Sequence, residues 1–319
     1  MRSNAIRYYL FQIQQLNFGM KSQLFVRLSA LVVAFSVISL LQGCANTTQA
    51  GAVGINRTQL LVIPSAQINQ QAAEGFSKLS QEAAKQSKLN KDAAMTKRVR
   101  GIGERLIKHV PVFREDAAQW AWEINVFESD EMNAFCAPGG KIGFYTGIIR
   151  KLQLTDDEIA AIMGHEIAHA LREHSREKAS QKGVANMVLQ TATSLDKSGA
   201  VGSLGGIGLE MLVHLPNSRA MELESDVMGL ELMARAGYDP RNAANVWVKM
   251  EKYSSGKQNM AFLSTHPQGE DRISLLESKV PSVMPLYEEA IASNVNKSAV
   301  ENMTKAAVSR KKSTRNSKK

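Results

Sequence analysis

Residues 165–169 read His-Glu-Ile-Ala-His, and no other feature restricts the possible folds of this chain as much. Positions four apart in a helix share a face, so both imidazoles can reach one metal ion while Glu166 is turned toward a water beside it. The flanking residues specify that helix. Thr155 can act as N-cap, Glu158 can close a capping box, and Leu154 can staple onto Ile159. Ile159, Ile162, Met163, Ile167 and Ala170 then form an apolar stripe at helical spacing. The histidines therefore fall on the third and fourth turns of a buried helix, as a zinc hydrolase requires.

Catalytic zinc commonly takes three protein ligands and keeps a further position for water or substrate. The extended motif with a third histidine six residues after the second is absent. Residues 170–175 contain no glycine, and His174 comes one position early and reads as a solvated side chain. A second helix begins at Ser218 and runs to about Arg235, stopped by Gly237 and Asp239-Pro240. On it Glu222 and Asp226 share a face while Glu224 points the other way. One of the pair can bind the metal and the other can orient a histidine. Spacing alone does not choose between them.

Four separated motifs occur in order: HEIAH; Pro216-Asn217-Ser218-Arg219 leading to Glu222 and Asp226; Asn133-Ala134-Phe135 before Pro138-Gly139-Gly140; and Ser264-Thr265-His266-Pro267 with Arg272-Ile273. Together they resemble the metallopeptidase family 48 of the gluzincins, which contains the CAAX prenyl protease, HtpX, the Oma-type protease and the barrel-assembly-enhancing protease. The resemblance covers roughly residues 60–285. It implies an α+β, zincin-like fold, mostly helical with a small antiparallel β-sheet beside the HExxH helix. It also implies one Zn2+ per chain held by His165, His169 and Glu222, Glu166 as general base, and Asp226 supporting a ligand. In some relatives a histidine placed like His266 approaches the zinc as a removable fourth ligand; stabilising the reaction's oxyanion and capping a helix, with Arg272 nearby, are the alternatives. Asn133 and Ala134 are the candidates for a strand edge to which an extended substrate adds. The implied activity is a metalloendopeptidase acting on unfolded or misassembled envelope proteins. The alternative is an envelope chaperone or assembly factor with a latent, rarely used protease site. A prenyl-processing type would need several membrane spans, and no run after residue 43 supplies them.

The beginning of the chain indicates where this chemistry takes place. Lys21 and Arg27 precede Leu28–Leu41, an uncharged run of 14 residues that suits a signal peptide better than a bilayer span. It ends in Leu41-Gln42-Gly43-Cys44, which resembles a bacterial lipobox with Cys44 as the lipidated residue. By resemblance to sorted bacterial lipoproteins, Ala45 in place of Asp favours the outer membrane, facing the periplasm of a Gram-negative cell; an uncleaved inner-membrane signal anchor is the alternative. Met20-Lys21 is a conventional signal start, so residues 1–19 read as an upstream extension. The expected organisation is a signal peptide over 1–43, lipid anchor and linker over 44–65, peptidase domain over 66–296 and a disordered basic tail over 297–319. Expected partners are envelope polypeptides as substrates, the membrane through the N-terminal lipid, and the outer-membrane assembly machinery.

The formal charge of +9 lies at the ends. Residues 1–43 hold four bases and no acid, and residues 297–319 hold eight bases against Glu301, so the body between them is slightly acidic. Nucleic acid is excluded for an exported chain without aromatics interleaved among its bases. With Cys44 acylated, Cys136 has no intramolecular partner and reads as a buried inert thiol, against intermolecular pairing or a thiolate reaching the zinc.

Elsewhere, residues 66–110 look helical, with Phe76, Leu79, Val99, Ile102 and Leu106 inward, up to the break at Pro111. Trp120, Trp122, Ile124 and Val126 alternate as a half-buried strand, and Phe135 with Ile142, Phe144, Thr146 and Ile148 continue the period of two around Pro138-Gly139-Gly140. Residues 194–208 are glycine-rich and read as a lid or an interhelical loop. Residues 207–215, with His214, read as a core helix.

Overall fold

The computed structural model describes residues 44–194, 217–255, 260–267 and 270–316. The signal-like segment, the glycines after Ser194 and the apolar run with His214 lie outside the described residues. A short antiparallel pair, β1 (Cys44–Ala45) and β2 (Gln59–Leu60), precedes helices α1 (Ser65–Lys85) and α2 (Ala93–Ile107). A three-stranded sheet follows, built from β3 (Glu123–Phe127), β4 (Ala134–Ala137) and β5 (Lys141–Tyr145). Then come α3 (Thr146–Lys151), α4 (Asp156–Leu171), α5 (His174–Ser194), α6 (Arg219–Arg235), α7 (Ala243–Ser254), α8 (Ala261–Thr265) and α9 (Glu270–Asn316). The fold is α+β, mostly helical, in agreement with the expectation. No described helix is long and apolar enough to cross a membrane.

The start of α4 is specified locally. The Thr155 hydroxyl accepts from the Glu158 amide at 3.3 Å and the Glu158 carboxylate accepts from the Thr155 amide at 2.8 Å, so the capping box closes. Asp156, Asp157 and Glu158 also place negative charge against the helix dipole. The helix is buried on nearly every side from Ile159 to Leu171 and forms the centre of the domain. Its end differs from the simple continuation that periodicity suggests. Glu173 adopts φ 50°, which breaks the helix and redirects the chain into α5. Ser218 caps α6 through the Met221 amide, and a left-handed Gly237 follows its end.

Three expectations are corrected, and the helical reading of 66–110 is resolved into two elements. Within the three-stranded sheet only the β4–β5 hairpin is antiparallel; β3 runs parallel to β5, in the order β3-β5-β4. The loop after β3 carries the chain past the position beside it, so the hairpin returns β5 into the centre. β3 is also not half-buried, because residues 124–127 are all covered. The alternation stops at Tyr145, since the Thr146 hydroxyl bonds to the Ser129 amide and carbonyl and the chain turns into α3. The span 66–110 forms two helices, separated by left-handed Ser87 and Asn90, with Asp92 capping the second.

The two ends of the domain also differ from their compositional reading. Residues 45–65 are packed rather than linking: Val53 and Ile55 join the core, the Gln49 amide donates to the Phe113 carbonyl at 2.7 Å, and Gln59 is buried. Polar composition concealed this because the stretch is held mainly by hydrogen bonds. The backbone of 297–316 continues α9, through a stretch rich in Ala, Lys and Arg that favours helix.

Helices α4 and α6 touch at backbone distance. A Cβ placed on Gly164 would lie 2.8 Å from the Gly229 carbonyl oxygen, and one on Gly229 would lie 2.6 Å from the His165 amide nitrogen. Gly229→Ala should therefore destabilise the protein by about 1–3 kcal/mol and reduce its metal retention. Denaturant unfolding combined with metal analysis checks this.

Candidate metal centre

The glycine crossing places the sequence-predicted donors on facing helix surfaces. His165 Nε2 and His169 Nε2 lie 3.0 Å apart on α4. From α6, Glu222 Oε2 lies 3.4 Å from His165 Nε2 and Oε1 lies 3.3 Å from His169 Nε2. His266, which ends α8, brings Nδ1 to 3.1 Å from Glu222 Oε1 and 3.2 Å from His165 Nε2. The four groups offer donor atoms within 4.8 Å of one another, and all four are buried.

This donor set fits zinc. Asp226 Oδ1 only accepts, and it lies 2.9 Å from His165 Nδ1, so that nitrogen carries the proton and Nε2 presents a lone pair. A lone pair facing another imidazole and a carboxylate in a dry site is unfavourable unless a cation stands among them. Zinc–nitrogen bonds of about 2.0–2.1 Å arranged as a tetrahedron give ligand edges of about 3.3 Å. The observed separations lie close to that edge.

In the metal-free site the two imidazoles differ in charge, and a metal bound at His165 Nε2 takes the place of a proton. Burial pushes the His169 imidazole well below its ordinary range and therefore neutral. At His165 burial is outweighed by Asp226 and Glu222, which lift its pKa to about 9. Burial would raise Glu222, but His266 and bonds from His165 and His169 hold it well below the carboxylate range. Burial raises Glu166. Its Oε1 is buried and makes no hydrogen bond; His266 Nε2 stands 3.3 Å away but is not aligned for one.

Asp226 and Arg272 form a rigid backing for the site. Arg272 donates to both Asp226 oxygens at 2.7 Å, from Nε and Nη2, and its Nη1 lies 2.7 Å from Glu222 Oε2. Its guanidinium carbon lies 3.6 Å from the centre of the Trp247 ring. The alternative that spacing left open is thus separated in space: Glu222 faces both imidazole Nε2 atoms, and Asp226 faces the far side of His165.

Asn133 and Ala134 lie at the start of β4, the outer strand of the sheet, which packs beside α4. They line one cleft with Glu166, His169 and His266. Cys136 lines it too, buried and outside the four-residue donor group; burial raises its pKa far above the ordinary thiol value. His266 does not open a new helix as expected; it closes α8, its amide donating to the Phe262 carbonyl at 2.9 Å. The reading of His174 as solvated is overturned. It is buried, with Nδ1 2.8 Å from His169 Nδ1, because the break at Glu173 folds it back beneath that ring. Lys178 and Asn217 also line the cleft and were not singled out by spacing; Lys178 Nζ donates to Asn217 Oδ1 at 2.7 Å. Burial lowers the Lys178 pKa to about 8.

Comparison with known proteins gives a consistent picture. The family model described as Peptidase family M48 matches residues 93–280. Mitochondrial metalloendopeptidase OMA1 of Schizosaccharomyces pombe is 39% identical over 163 residues, covering 50% of this chain and 47% of that protein. Metalloprotease LoiP of Escherichia coli is 27% identical over 257 residues, covering 77% of this chain and 94% of that protein. The Beta-barrel assembly-enhancing protease of Yersinia pestis is 24% identical over 206 residues, 61% of this chain and 40% of that protein. The chain thus spans about half the length of the S. pombe relative.

Removing the guanidinium would leave Asp226 and Glu222 as buried carboxylates without their cation. Arg272→Met should cost about 3–5 kcal/mol in the metal-free protein, measured by urea denaturation.

Proposed function

The chain belongs to peptidase family M48, and on that premise we propose that it is a zinc metalloendopeptidase of the bacterial envelope acting on unfolded or misassembled polypeptides. The convergence of His165, His169 and Glu222 within 4.8 Å, with the Glu166 carboxylate beside them, carries this reading. These three residues hold the metal, and Asp226 with Arg272 fixes His165 and Glu222. A zinc ion held there supplies Lewis acidity to the attacking water and the scissile carbonyl.

Glu166 acts as general base. Its Oε1 has a lone pair not engaged by any hydrogen bond, and burial makes it more basic than a solvated carboxylate. It takes a proton from the water and returns it to the leaving amine nitrogen. No covalent acyl intermediate is required. The β4 edge at Asn133 and Ala134 receives the substrate backbone as an added strand, so side chains are read weakly. Such recognition suits extended, unfolded polypeptides.

The envelope placement rests on the signal-like run to Leu41 and on Cys44 as the lipidated residue, with residues 1–43 removed. The peptidase domain proposed for 66–296 takes in the packed stretch before it. His266 is a gate: its Nδ1 sits within the donor group, where it holds the site closed until displaced. The complete donor set disfavours a chaperone with no proteolytic role.

Glu166→Gln should retain zinc and lose about 10²–10⁴-fold in casein cleavage. Metal analysis and a fluorescent casein assay on the same preparation check both halves, and retained turnover removes the base assignment. His266→Ala should raise basal cleavage; lost cleavage would reassign His266 to stabilising the reacting carbonyl oxygen.

A further inference from the structure

The two imidazoles on α4 are supported differently. His165 meets its carboxylate directly, whereas His169 is backed by a second imidazole. For His169 to present the Nε2 lone pair, its proton must sit on Nδ1, where the acceptor 2.8 Å away is His174 Nδ1. The proton of His174 is then on Nε2, which points to Glu224 Oε2 at 3.1 Å. Ser225 Oγ, 3.4 Å from His174 Nδ1, lies on the same side of that ring. Glu224 is held in turn by Arg57, through Nε to Oε1 and Nη2 to Oε2, both at 2.9 Å, and by Arg172 Nη2 at 3.1 Å.

Arg57 belongs to the packed stretch that follows Cys44. It also pairs with Glu177 at 2.6 Å. Arg172, fully buried, donates to the Arg57 carbonyl at 2.8 Å and to the side chains of Asn46 and Thr48. Gln59 Nε2 donates to the Arg172 carbonyl and to Glu177. Composition reads this stretch as a linker, yet its polar groups enclose Glu224.

We propose that the strap Asn46–Gln59 belongs to the positioning machinery of the metal centre: Arg57 fixes Glu224, Glu224 fixes His174, and His174 fixes the tautomer and ring plane of His169. The inference rests on the zinc reading given above. His174, Glu224 and Arg57 are positioning residues, and none of them touches the metal. The hydrogen-bonded line runs from cation to carboxylate to two imidazoles, with one role for each polar atom. Partners of this kind typically alter metal affinity by about 10–100-fold when removed.

The test uses the full chain loaded with Zn2+ or Co2+, as wild type, Glu224→Gln and Arg57→Ala. Glu224→Gln keeps the shape of the side chain, and Arg57 is about one-third exposed, so its truncation spares the core. The readouts are the rate of zinc transfer to a chromophoric chelator, the visible absorption bands of the cobalt form, and the thermal midpoint of the metal-free protein. We expect about 10-fold or faster zinc loss in Glu224→Gln, a smaller acceleration in Arg57→Ala, and altered cobalt bands in both, alongside a lowered metal-free midpoint because buried charges lose partners. Wild-type chelation rates and cobalt bands in both variants would overturn the proposal. So would an altered metal-free midpoint with unchanged cobalt bands, since the network would then be a staple of the fold. If Glu224→Gln does not fold, the cobalt bands and chelation rate of Arg57→Ala decide alone. A wild type that takes up neither metal would sink the zinc reading itself, a result separable from the others because it appears without any substitution.

Discussion

Two helices can meet at backbone distance only where neither presents a side chain, and the rest of this site depends on Gly164 meeting Gly229. That crossing lets a histidine pair from one helix and two carboxylates from the other meet in one buried site. Moving charged groups out of water costs several kcal/mol each unless they find partners. Most of the buried groups have one. Asp226 has His165 and Arg272, Glu222 has both imidazoles and Arg272, and Arg272 lies against Trp247.

Once both imidazoles are neutral, as metal ligands must be, the charges closest to the centre are Glu166, Glu222 and Asp226 against Arg272, which leaves an excess of negative charge. Lys178 also lines the cleft, its Nζ bonded to Asn217 Oδ1. A divalent cation restores the balance. Glu166 Oε1 is one of the few buried polar atoms among the described residues without a hydrogen bond, and it stands beside the donor group.

The parts of the site legible in the sequence were those with local signals. The capping box at Thr155, the four-residue spacing of His165 and His169, and the Ser218 cap with Gly237 placed both helices before any tertiary contact was known. What could not be read depended on a single backbone torsion or on distant pairing. His174 reads as solvated because it falls one position short of the extended histidine motif, and the left-handed Glu173 that turns it back under His169 leaves no signal in the spacing. The parallel pairing of β3 with β5 was equally hidden, because alternation in one strand says nothing about its neighbour's direction. Arg57 and Gln59 escaped notice because a stretch held by hydrogen bonds has the composition of a linker.

The pairing of Cys44 and Ala45 with Leu60 and Gln59 bears on how far this enzyme could reach. Twenty flexible residues would form a leash with a root-mean-square span of about 25 Å. Here the chain from Asn46 onward is consumed by packing against the domain, so a lipid on Cys44 would moor the body flush with the bilayer. Its clients would then be those presented at the membrane surface, and proximity would select among them before any side chain is read.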